Sequence, residues 1–424
     1  MLHRRAALAL AGGAALSAGL PGAVRPAAAA RDLPRARPEE VGFLPDRLGR
    51  ITAWIAGESE AGRIPGAVVA VGRKGRLALL EPVGYRDAET RAPMEADSIF
   101  RLASMTKPIV SVALMLLAEE GKVQLQHPVS RYLPEFAQQK VGLQGEAVQR
   151  AATVQDLLRH TSGLTYGLGR DPVAEAYQAA KLREAGIDAA EFIRRLAALP
   201  LASQPGSSWA YSYSTDVVGR IVEVVSGEDL DAFTRRRITG PLRMLDTGFH
   251  LGARAEGRVA QPPADPATGR KPELPDPLQR AARFSGGGGM SGTALDYARF
   301  CQMLLDLGRT DEVRIVSRST VALMRANHLP PGIAYSPDTP GRFGALAPTP
   351  AMGQGFGLGF CVRTDAGRNP LPGNVGDHYW GGAYGTYFWI DPAEEMYVVF
   401  LMQAPEQRLQ ARYVMRHLVY QALA

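Results

Sequence analysis

Cysteine is nearly absent from this sequence, which has two in 424 residues, Cys301 and Cys361. No Cys-x-x-Cys spacing occurs, and the seven histidines are scattered with no His-Glu-x-x-His stretch. These gaps argue against a zinc hydrolase or a dithiol redox protein, so we expect neither a metal nor a cofactor. The two cysteines would permit one disulfide in an oxidising compartment, but the apolar stretch YARFCQMLLDL favours a buried thiol at Cys301.

Long apolar runs are also missing after the first 30 residues, since none reaches the roughly 18 residues of a membrane-spanning helix. The N-terminus has a short basic head at residues 3–5, an apolar run at residues 6–20 and a small-residue cleavage site at residues 28–30. We therefore expect residues 1–30 to be a signal peptide. The mature chain would be periplasmic or secreted and not stably inserted in a membrane, and the adjacent arginines in the head admit a twin-arginine route.

Excess positive charge is modest once this segment is set aside. The formal net charge is +6, and the predicted signal peptide holds three arginines and no acidic residue, so removing their three charges leaves about +3. The remaining basic residues alternate with acidic ones, as in PEEVGFLPDRLGR. This pattern is typical of a solvated surface, so we expect no nucleic-acid partner.

Lysine is scarce as well, with six residues against 42 arginines. One of the six, Lys107, follows Ser104 by three positions in FRLASMTKPI. Arginine cannot lose its proton in a protein, whereas lysine can where its surroundings disfavour the charged form, and a serine beside such a lysine can act as a nucleophile. With 18 serines in the chain, chance alone gives about a quarter of one such pair, so the pair needs support from elsewhere.

The order of the predicted elements indicates an α+β protein. Residues 65–87 read as two strands, and the late stretches HYWGGAYGTYFWID and EMYVVFLMQA read as two more, followed by a closing helix. The signals between are mostly helical. We expect an antiparallel sheet flanked by N- and C-terminal helices, built from residues 31–103 and 282–424, with a mostly helical domain inserted at residues 104–281.

Two proline-rich segments, residues 261–277 and 329–350, interrupt these elements. Long segments of this kind are either walls of a binding site or simple linkers, and the sequence leaves both interpretations open.

The pair Ser104 and Lys107 lies where a helix begins. MTKPIVSVALMLLAEEGK is a largely apolar helix, and Pro108 must be near its start, so Ser104 falls in the first turn. Residues i and i+3 share a helix face, and the N-terminal end of the helix favours a serine alkoxide over a charged lysine. Farther along, SSWAYSYSTDVVG places Tyr211 at another helix entrance, where its hydroxyl could organise the protons or its ring could simply pack with Trp209.

The stretch HYWGGAYG places Gly381 and Gly382 within a strand pattern. Glycine there marks either the close approach of a ligand or a bulge. On an edge strand beside a nucleophile, the backbone N–H of Ala383 would face the substrate, and the N–H of Ser104 would be a second donor to the oxyanion.

In this order, SMTK, YSYSTDVVG and WGG resemble the three active-site motifs of class C serine β-lactamases and penicillin-binding DD-peptidases, and they are most like the carboxylesterases of that fold, the family VIII esterases. The stretches SIFRLASMTKPI, LLRHTSGL, PLRMLDTGF, FSGGGGMSGTALDYARF and GQGFGLGF extend the match over nearly the whole mature chain. The resemblance implies a β-lactamase/transpeptidase-like α/β sandwich with its active site at the interface of the two domains.

The resemblance also implies roles for single residues. Ser104 would be the acylated nucleophile, and Lys107 and Tyr211 would share the work of the general base. The N–H groups of Ser104 and Ala383 would form the oxyanion hole. The substrate-binding residues would be Trp380, Gly381 and Gly382.

Two departures from the lactamase pattern narrow the range of expected substrates. The asparagine that should follow Tyr211 by two positions is Tyr213, and Trp380-Gly381-Gly382 stands where Lys-Thr-Gly or His-Thr-Gly is expected. The third motif therefore offers the carboxylate of a β-lactam neither a cation nor a hydroxyl, and the indole would form an apolar wall.

We therefore expect a carboxylesterase that cleaves small esters through an acyl-enzyme on Ser104. The alternatives are a β-lactamase, a D-amino-acid peptidase or an acyltransferase of the same fold. A catalytically silent cell-wall binding protein is disfavoured because Ser104, Lys107 and Tyr211 are all present. An α/β-hydrolase is disfavoured because the chain contains no Gly-x-Ser-x-Gly stretch.

Overall fold

The structure is a computed structural model that describes residues 32–264, 269–272 and 274–424. The predicted signal peptide, residues 1–30, lies outside the described residues. The α-helices are α1 (Pro45–Leu48), α2 (Arg50–Glu60), α3 (Thr106–Glu119), α4 (Val154–Leu158), α5 (Pro172–Ala179), α6 (Ala189–Ala197), α7 (Ser214–Ser226), α8 (Leu230–Thr234), α9 (Ala294–Leu305), α10 (Arg318–Met324), α11 (Thr339–Phe343) and α12 (Arg408–Tyr420).

The longer strands are grouped near the two ends of the described chain, and short strands lie between them. The strands are β1 (Gly66–Arg73), β2 (Arg76–Asp87), β3 (Ala92–Pro93), β4 (Phe100–Arg101), β5 (Lys140–Val141), β6 (Glu146–Ala147), β7 (Ser208–Trp209), β8 (Ser291–Gly292), β9 (Ala334–Tyr335), β10 (Gln354–Phe356), β11 (Cys361–Arg363), β12 (His378–Gly381), β13 (Tyr387–Asp391) and β14 (Met396–Met402).

One eight-stranded sheet organises the molecule, in the order β10-β11-β12-β13-β14-β1-β2-β3. Every neighbouring pair in it is antiparallel. The N-terminal strand β1 pairs with the C-terminal strand β14, from Ala67 opposite Met402 to Arg73 opposite Met396. The two ends of the chain thus complete one sheet, which confirms the antiparallel α+β architecture expected from the sequence.

Helices cover both faces of this sheet. The ring of Phe388 on β13 lies 5.1 Å from that of Tyr297 on α9, while the next residue, Trp389, stacks with Tyr420 on α12 at 6.4 Å between ring centroids. Adjacent residues of a strand point to opposite faces, so α9 and α12 lie on opposite sides of the sheet. The N-terminal helix α2 contacts both β1 and α12, and this arrangement confirms the expected sandwich.

The segment between β4 and β8 is mostly helical, and its centre is α3 packed against α7. The side chains of α3 from Thr106 to Leu117 are all buried, which explains the nearly continuous apolar character of that stretch. The domain boundaries placed at residues 104 and 281 remain a prediction. Across the described ranges, no helix combines the length and the apolar character that crossing a membrane requires.

The stretch HYWGGAYGTYFWID, expected to be a single strand, forms two. Strand β12 ends at Gly381, and a turn over residues 382–386 leads into β13, with Gly385 at a φ of 114° that side-chain-bearing residues rarely adopt. Strand β12 is not an edge strand, because it lies between β11 and β13. However, β11 pairs only with His378 and Tyr379, so the Gly381 end of β12 has no neighbour on that side.

Candidate active site

Ser104 lies in a sharp turn at the entrance to α3. A short 3-10 turn, Ala103–Met105, precedes the helix, and Ala103 has a φ of 47°, which is uncommon for a residue with a side chain. The hydroxyl of Tyr297 on α9 donates a hydrogen bond to the carbonyl of Met105 at 2.9 Å and holds this turn. The half-buried Ser104 is thereby presented at the positive end of α3, although it lies in the preceding 3-10 turn and not, as predicted, in the first turn of the helix.

Lys107 is fully buried directly beneath Ser104. Its Nζ lies 3.3 Å from Ser104 Oγ, 3.0 Å from Tyr166 Oη and 2.6 Å from the carbonyl oxygen of Gly287. An ammonium has three N–H groups, so these three acceptors can satisfy it completely. A neutral amine keeps a lone pair, for which the Ser104 hydroxyl can be the donor. The site can therefore hold either form of Lys107.

Aromatic rings surround the Lys107 amine. Its Nζ lies 4.5 Å from the ring centroid of Tyr211 and 5.3 Å from that of Tyr166, both within the range of cation–π attraction. Burial lowers the pKa of the neighbouring His160 well below its ordinary value, and the positive charge of Lys107 adds to the effect. His160 is therefore neutral and places no second positive charge beside Lys107.

Tyr166, which lies three residues after the HTSG stretch, was not predicted to belong to the site. Desolvation raises the pKa of Tyr166 well above its ordinary value, and nearby Tyr211 and Asp216 raise it further, so the phenol stays protonated. The run of four glycines at residues 286–289 was a stronger signal. A Cβ on Gly287 would overlap the Asp216 carboxylate and come within 2.9 Å of Tyr166 Oη, so a glycine is needed for its carbonyl to reach Lys107.

Tyr211 lies beside Ser104 but is not hydrogen-bonded to it. Its hydroxyl oxygen accepts a hydrogen bond from the indole N–H of Trp380 at 3.1 Å. Its ring also stacks with Trp209 at 6.2 Å between centroids, so the packing alternative raised from the sequence holds alongside any chemical role. Trp380 is itself only 3% exposed. Its indole therefore lies behind Tyr211 and forms little of the exposed wall that was expected.

Tyr213, at the position where an asparagine was expected, belongs to the packing around Tyr166. The two rings meet edge to face, with centroids 4.5 Å apart. The Tyr213 hydroxyl oxygen accepts a hydrogen bond from Nε of Arg183 at 3.2 Å. Tyr213 thus packs against the ring of Tyr166, while its hydroxyl is held by Arg183.

Five of the predicted site residues share one cavity of about 240 Å³; they are Ser104, Tyr211, Gly381, Gly382 and Ala383. A Cβ on Gly382 would overlap the carbonyl oxygen of Leu102 and the hydroxyl of Thr386. Glycine there lets the turn after β12 approach the chain just ahead of Ser104. The N–H of Ala383 in this turn makes no backbone hydrogen bond within the described part of the chain, so it is free to serve as a donor to a bound oxygen.

The same cavity is lined by three cationic side chains that the third motif does not contain, Arg342, Arg408 and Arg412. Arg342 comes from α11, and the other two come from α12. The proline-rich segment at residues 329–350 is therefore a wall of the site and not merely a linker. The third motif supplies no cation for an anionic group, as expected, but two helices distant in the sequence supply three.

Neither cysteine takes part in this arrangement. Cys301 and Cys361 are both free and buried, so no disulfide joins them. Among the described residues, no group of three histidine, cysteine, aspartate or glutamate side chains is placed to hold a metal ion.

The sequence and the fold of this chain are similar to those of known proteins. The model of the Beta-lactamase family matches residues 51–420. Protein Rv1367c of Mycobacterium tuberculosis is 37% identical over 360 residues, covering 81% of this chain and 87% of the relative. Esterase EstB of Burkholderia gladioli is 33% identical over 365 residues, covering 80% and 86%. The solved structure of EstCE1, a hydrolase with promiscuous acyltransferase activity, has a TM-score of 0.74 at 29% identity, covering 88% of this chain and 99% of its own.

Proposed function

We propose that this chain, which belongs to the Beta-lactamase family, is a serine hydrolase that cleaves small carboxylic esters through an acyl-enzyme on Ser104. The matches to EstB and EstCE1 confirm the resemblance to β-lactamase-related carboxylesterases and favour an esterase or acyltransferase activity. The observation that carries the proposal is the fully buried Lys107, whose Nζ lies 3.3 Å from Ser104 Oγ and has two further acceptors ready for its charged form.

In the proposed acylation step, Ser104 Oγ attacks the carbonyl carbon of the ester and Lys107 Nζ takes the hydroxyl proton. The carbonyl oxygen becomes an oxyanion, which the N–H groups of Ser104 and Ala383 stabilise. The tetrahedral intermediate collapses, the C–O bond to the alcohol breaks, and the alcohol leaves with a proton returned from Lys107. Tyr211, which lines the same cavity, shares in this proton transfer.

Deacylation repeats the sequence with water as the nucleophile. Water gives its proton to neutral Lys107, attacks the acyl carbon and releases the carboxylic acid, and the proton returns to Ser104 Oγ. An alcohol in place of water would give a new ester. The activity named for EstCE1 makes this acyl transfer the second candidate function. Adding an acceptor alcohol to the assay and measuring ester formed against acid released separates the two outcomes.

The decisive experiment combines activity with covalent labelling. We expect hydrolysis of short-chain p-nitrophenyl esters by the wild type, and a fluorophosphonate probe that attaches to Ser104 Oγ with loss of fluoride. Ser104→Ala should lose both, since removal of a nucleophile costs several orders of magnitude. Ser319→Ala, at an exposed position on α10, is the matched control.

Residual turnover above about 1% of wild type in Ser104→Ala would reject Ser104 as the nucleophile. A chromogenic cephalosporin on the same preparation tests the β-lactamase alternative. Ring opening that matches or exceeds ester hydrolysis in kcat/KM would favour that alternative over the esterase. Because residues 1–30 lie outside the described residues, export remains a separate proposal, and N-terminal sequencing of the protein secreted by a host carrying the full gene would test it.

A further inference from the structure

The three arginines of α12 differ in whether an acidic side chain neutralises them. Arg408, Arg412 and Arg416 follow one another at four-residue spacing and therefore lie along one face of the helix. Arg416, the one nearest the C-terminal end of α12, is fully buried and forms a salt bridge with the carboxylate of Asp377 at 2.6 Å. Neither Arg408 nor Arg412 forms a salt bridge with an acidic residue of the described chain, although both line the cavity that contains Ser104.

Within the described part of the chain, Arg412 is a buried cation without an acidic partner. Its side chain belongs to a residue that is 7% exposed, and its Nη2 donates to the carbonyls of Gly382 at 2.6 Å and Thr386 at 3.1 Å. Its Nε has no hydrogen-bond partner. Burial lowers the pKa of Arg412 to about 10, and the nearby charge of Arg408 acts in the same direction. A buried charge left unpaired is costly, so a compensating anion at this place would be stabilising.

Arg408 also lines the cavity and, among the described residues, is a second cation without an acidic partner. It is half-buried, and its Nη1 donates to the carbonyl of Pro405 at 2.8 Å. It occupies the first position of α12, where the helix dipole disfavours positive charge, and no acidic residue lies in that first turn. Arg408 and Arg412 also repel each other as like charges at i and i+4.

Arg342 of α11 also lines the cavity, but it forms a salt bridge with Asp338, in which its Nε lies 3.0 Å from the carboxylate. The described residues that line the cavity include these three arginines and no aspartate or glutamate. The reacting serine thus faces a small cavity whose charged lining residues are all positive. Such a cavity attracts anions, and the guanidinium groups can orient a carboxylate through bidentate hydrogen bonds.

We propose that the preferred substrates of this site are esters that carry a carboxylate, held against Arg408 and Arg412 while the ester carbonyl faces Ser104. This inference rests on the proposed esterase function and specifies its substrate class. The carboxylate can belong to the acyl part, as in a half-ester of a dicarboxylic acid, or to the alcohol part.

The test compares each carboxylate ester with its neutral carboxamide isostere, after subtraction of spontaneous hydrolysis. Mono-p-nitrophenyl adipate against its carboxamide analogue probes the acyl side, and 4-carboxyphenyl butyrate against 4-carbamoylphenyl butyrate probes the alcohol side. In at least one pair we expect the wild type to favour the carboxylate in kcat/KM by about tenfold. That preference should shrink as salt is added, because salt screens partly exposed charges.

Arg408→Gln should bring the carboxylate-to-carboxamide ratio of kcat/KM close to one, chiefly through KM, and Arg408→Lys should retain part of it. Arg131→Gln, at an exposed position far along the chain, is the control and should keep the wild-type ratio. Arg412 is unsuitable for this test because it also holds the turn after β12.

A wild-type ratio of one or less in both pairs, or a ratio unchanged in Arg408→Gln, would overturn the inference. Hydrolysis of the neutral esters that depends on Ser104 would show in that case that the proposed esterase function survives alone. No Ser104-dependent hydrolysis of any of the four esters would instead overturn the proposed function and this inference with it.

Discussion

Tyr166→Phe tests whether Lys107 must carry a positive charge during the reaction. In the proposed acylation Lys107 changes from a neutral amine to an ammonium, whose three N–H groups meet Ser104 Oγ, Tyr166 Oη and the carbonyl of Gly287. Phenylalanine removes the acceptor at 3.0 Å but keeps the ring, so the cation–π contact at 5.3 Å survives. One N–H of a buried ammonium then has no partner.

The magnitude follows from that single lost acceptor. Leaving one buried donor unsatisfied costs about 1–3 kcal/mol, and because the cost falls on the charged form it raises the barrier to acylation. We therefore expect kcat to fall by about 5- to 150-fold. KM should change little, since Tyr166 is not among the residues that line the cavity.

The assay is steady-state hydrolysis of a p-nitrophenyl ester, with a thermal melt of each variant to verify its fold. Tyr177→Phe is the matched control, because Tyr177 is 3% exposed and its hydroxyl does not contact Lys107. A Tyr166→Phe enzyme within twofold of both the wild type and Tyr177→Phe would refute the reasoning, and would mean that Lys107 does not gain a proton in the rate-limiting step.

Two further predictions concern Lys107 and His378. Lys107→Arg should lose at least a hundredfold in kcat/KM, nearly as much as Lys107→Ala, because a guanidinium cannot accept the proton of Ser104; an arginine variant with most of its activity would mean that Lys107 acts only as a positive charge. His378 donates from Nδ1 to the carbonyl of Gly376 at 3.1 Å, its Nε2 is buried without a partner, and burial lowers its pKa from 6.5 to about 4. Below pH 6.5 the unfolded chain therefore binds a proton that the folded chain refuses until about pH 4, so this histidine should reduce the free energy of unfolding by about 1.4 kcal/mol per pH unit across that window. Urea titrations at several pH values should show a correspondingly flatter dependence in His378→Phe but not in His417→Phe, at an exposed position, and equal slopes in all three proteins would contradict the assignment.

The contacts that could be predicted from the sequence are the local ones. The proximity of Ser104 and Lys107 follows from three-residue spacing at a helix start, and helix geometry is the same in every protein. The acceptors that complete the Lys107 site come from residues 59 and 180 positions away, Tyr166 and Gly287. No local rule relates such distant segments, so the sequence could mark the glycine run as unusual but not say which side chain it approaches.

The arginines of α12 show in another way that local sequence does not determine long-range contacts. The four-residue spacing of Arg408, Arg412 and Arg416 is visible in the sequence and places them on one helix face. Which of them is neutralised depends on where Asp377 lies, and that is set by how α12 crosses the sheet. Similarly, the missing asparagine at Tyr213 was evident, but only the packing around Tyr166 explains what the tyrosine does there.

The two buried thiols determine how this protein can be chemically modified. Burial raises the pKa of Cys301 well above its ordinary value and that of Cys361 to about 12, so neither presents a thiolate to the solvent. Maleimides and iodoacetamides should therefore leave the folded enzyme untouched. A single cysteine introduced at an exposed position such as Ser319 would be the one reactive thiol, and it could carry a fluorophore or a tether to a solid support without removal of the native cysteines.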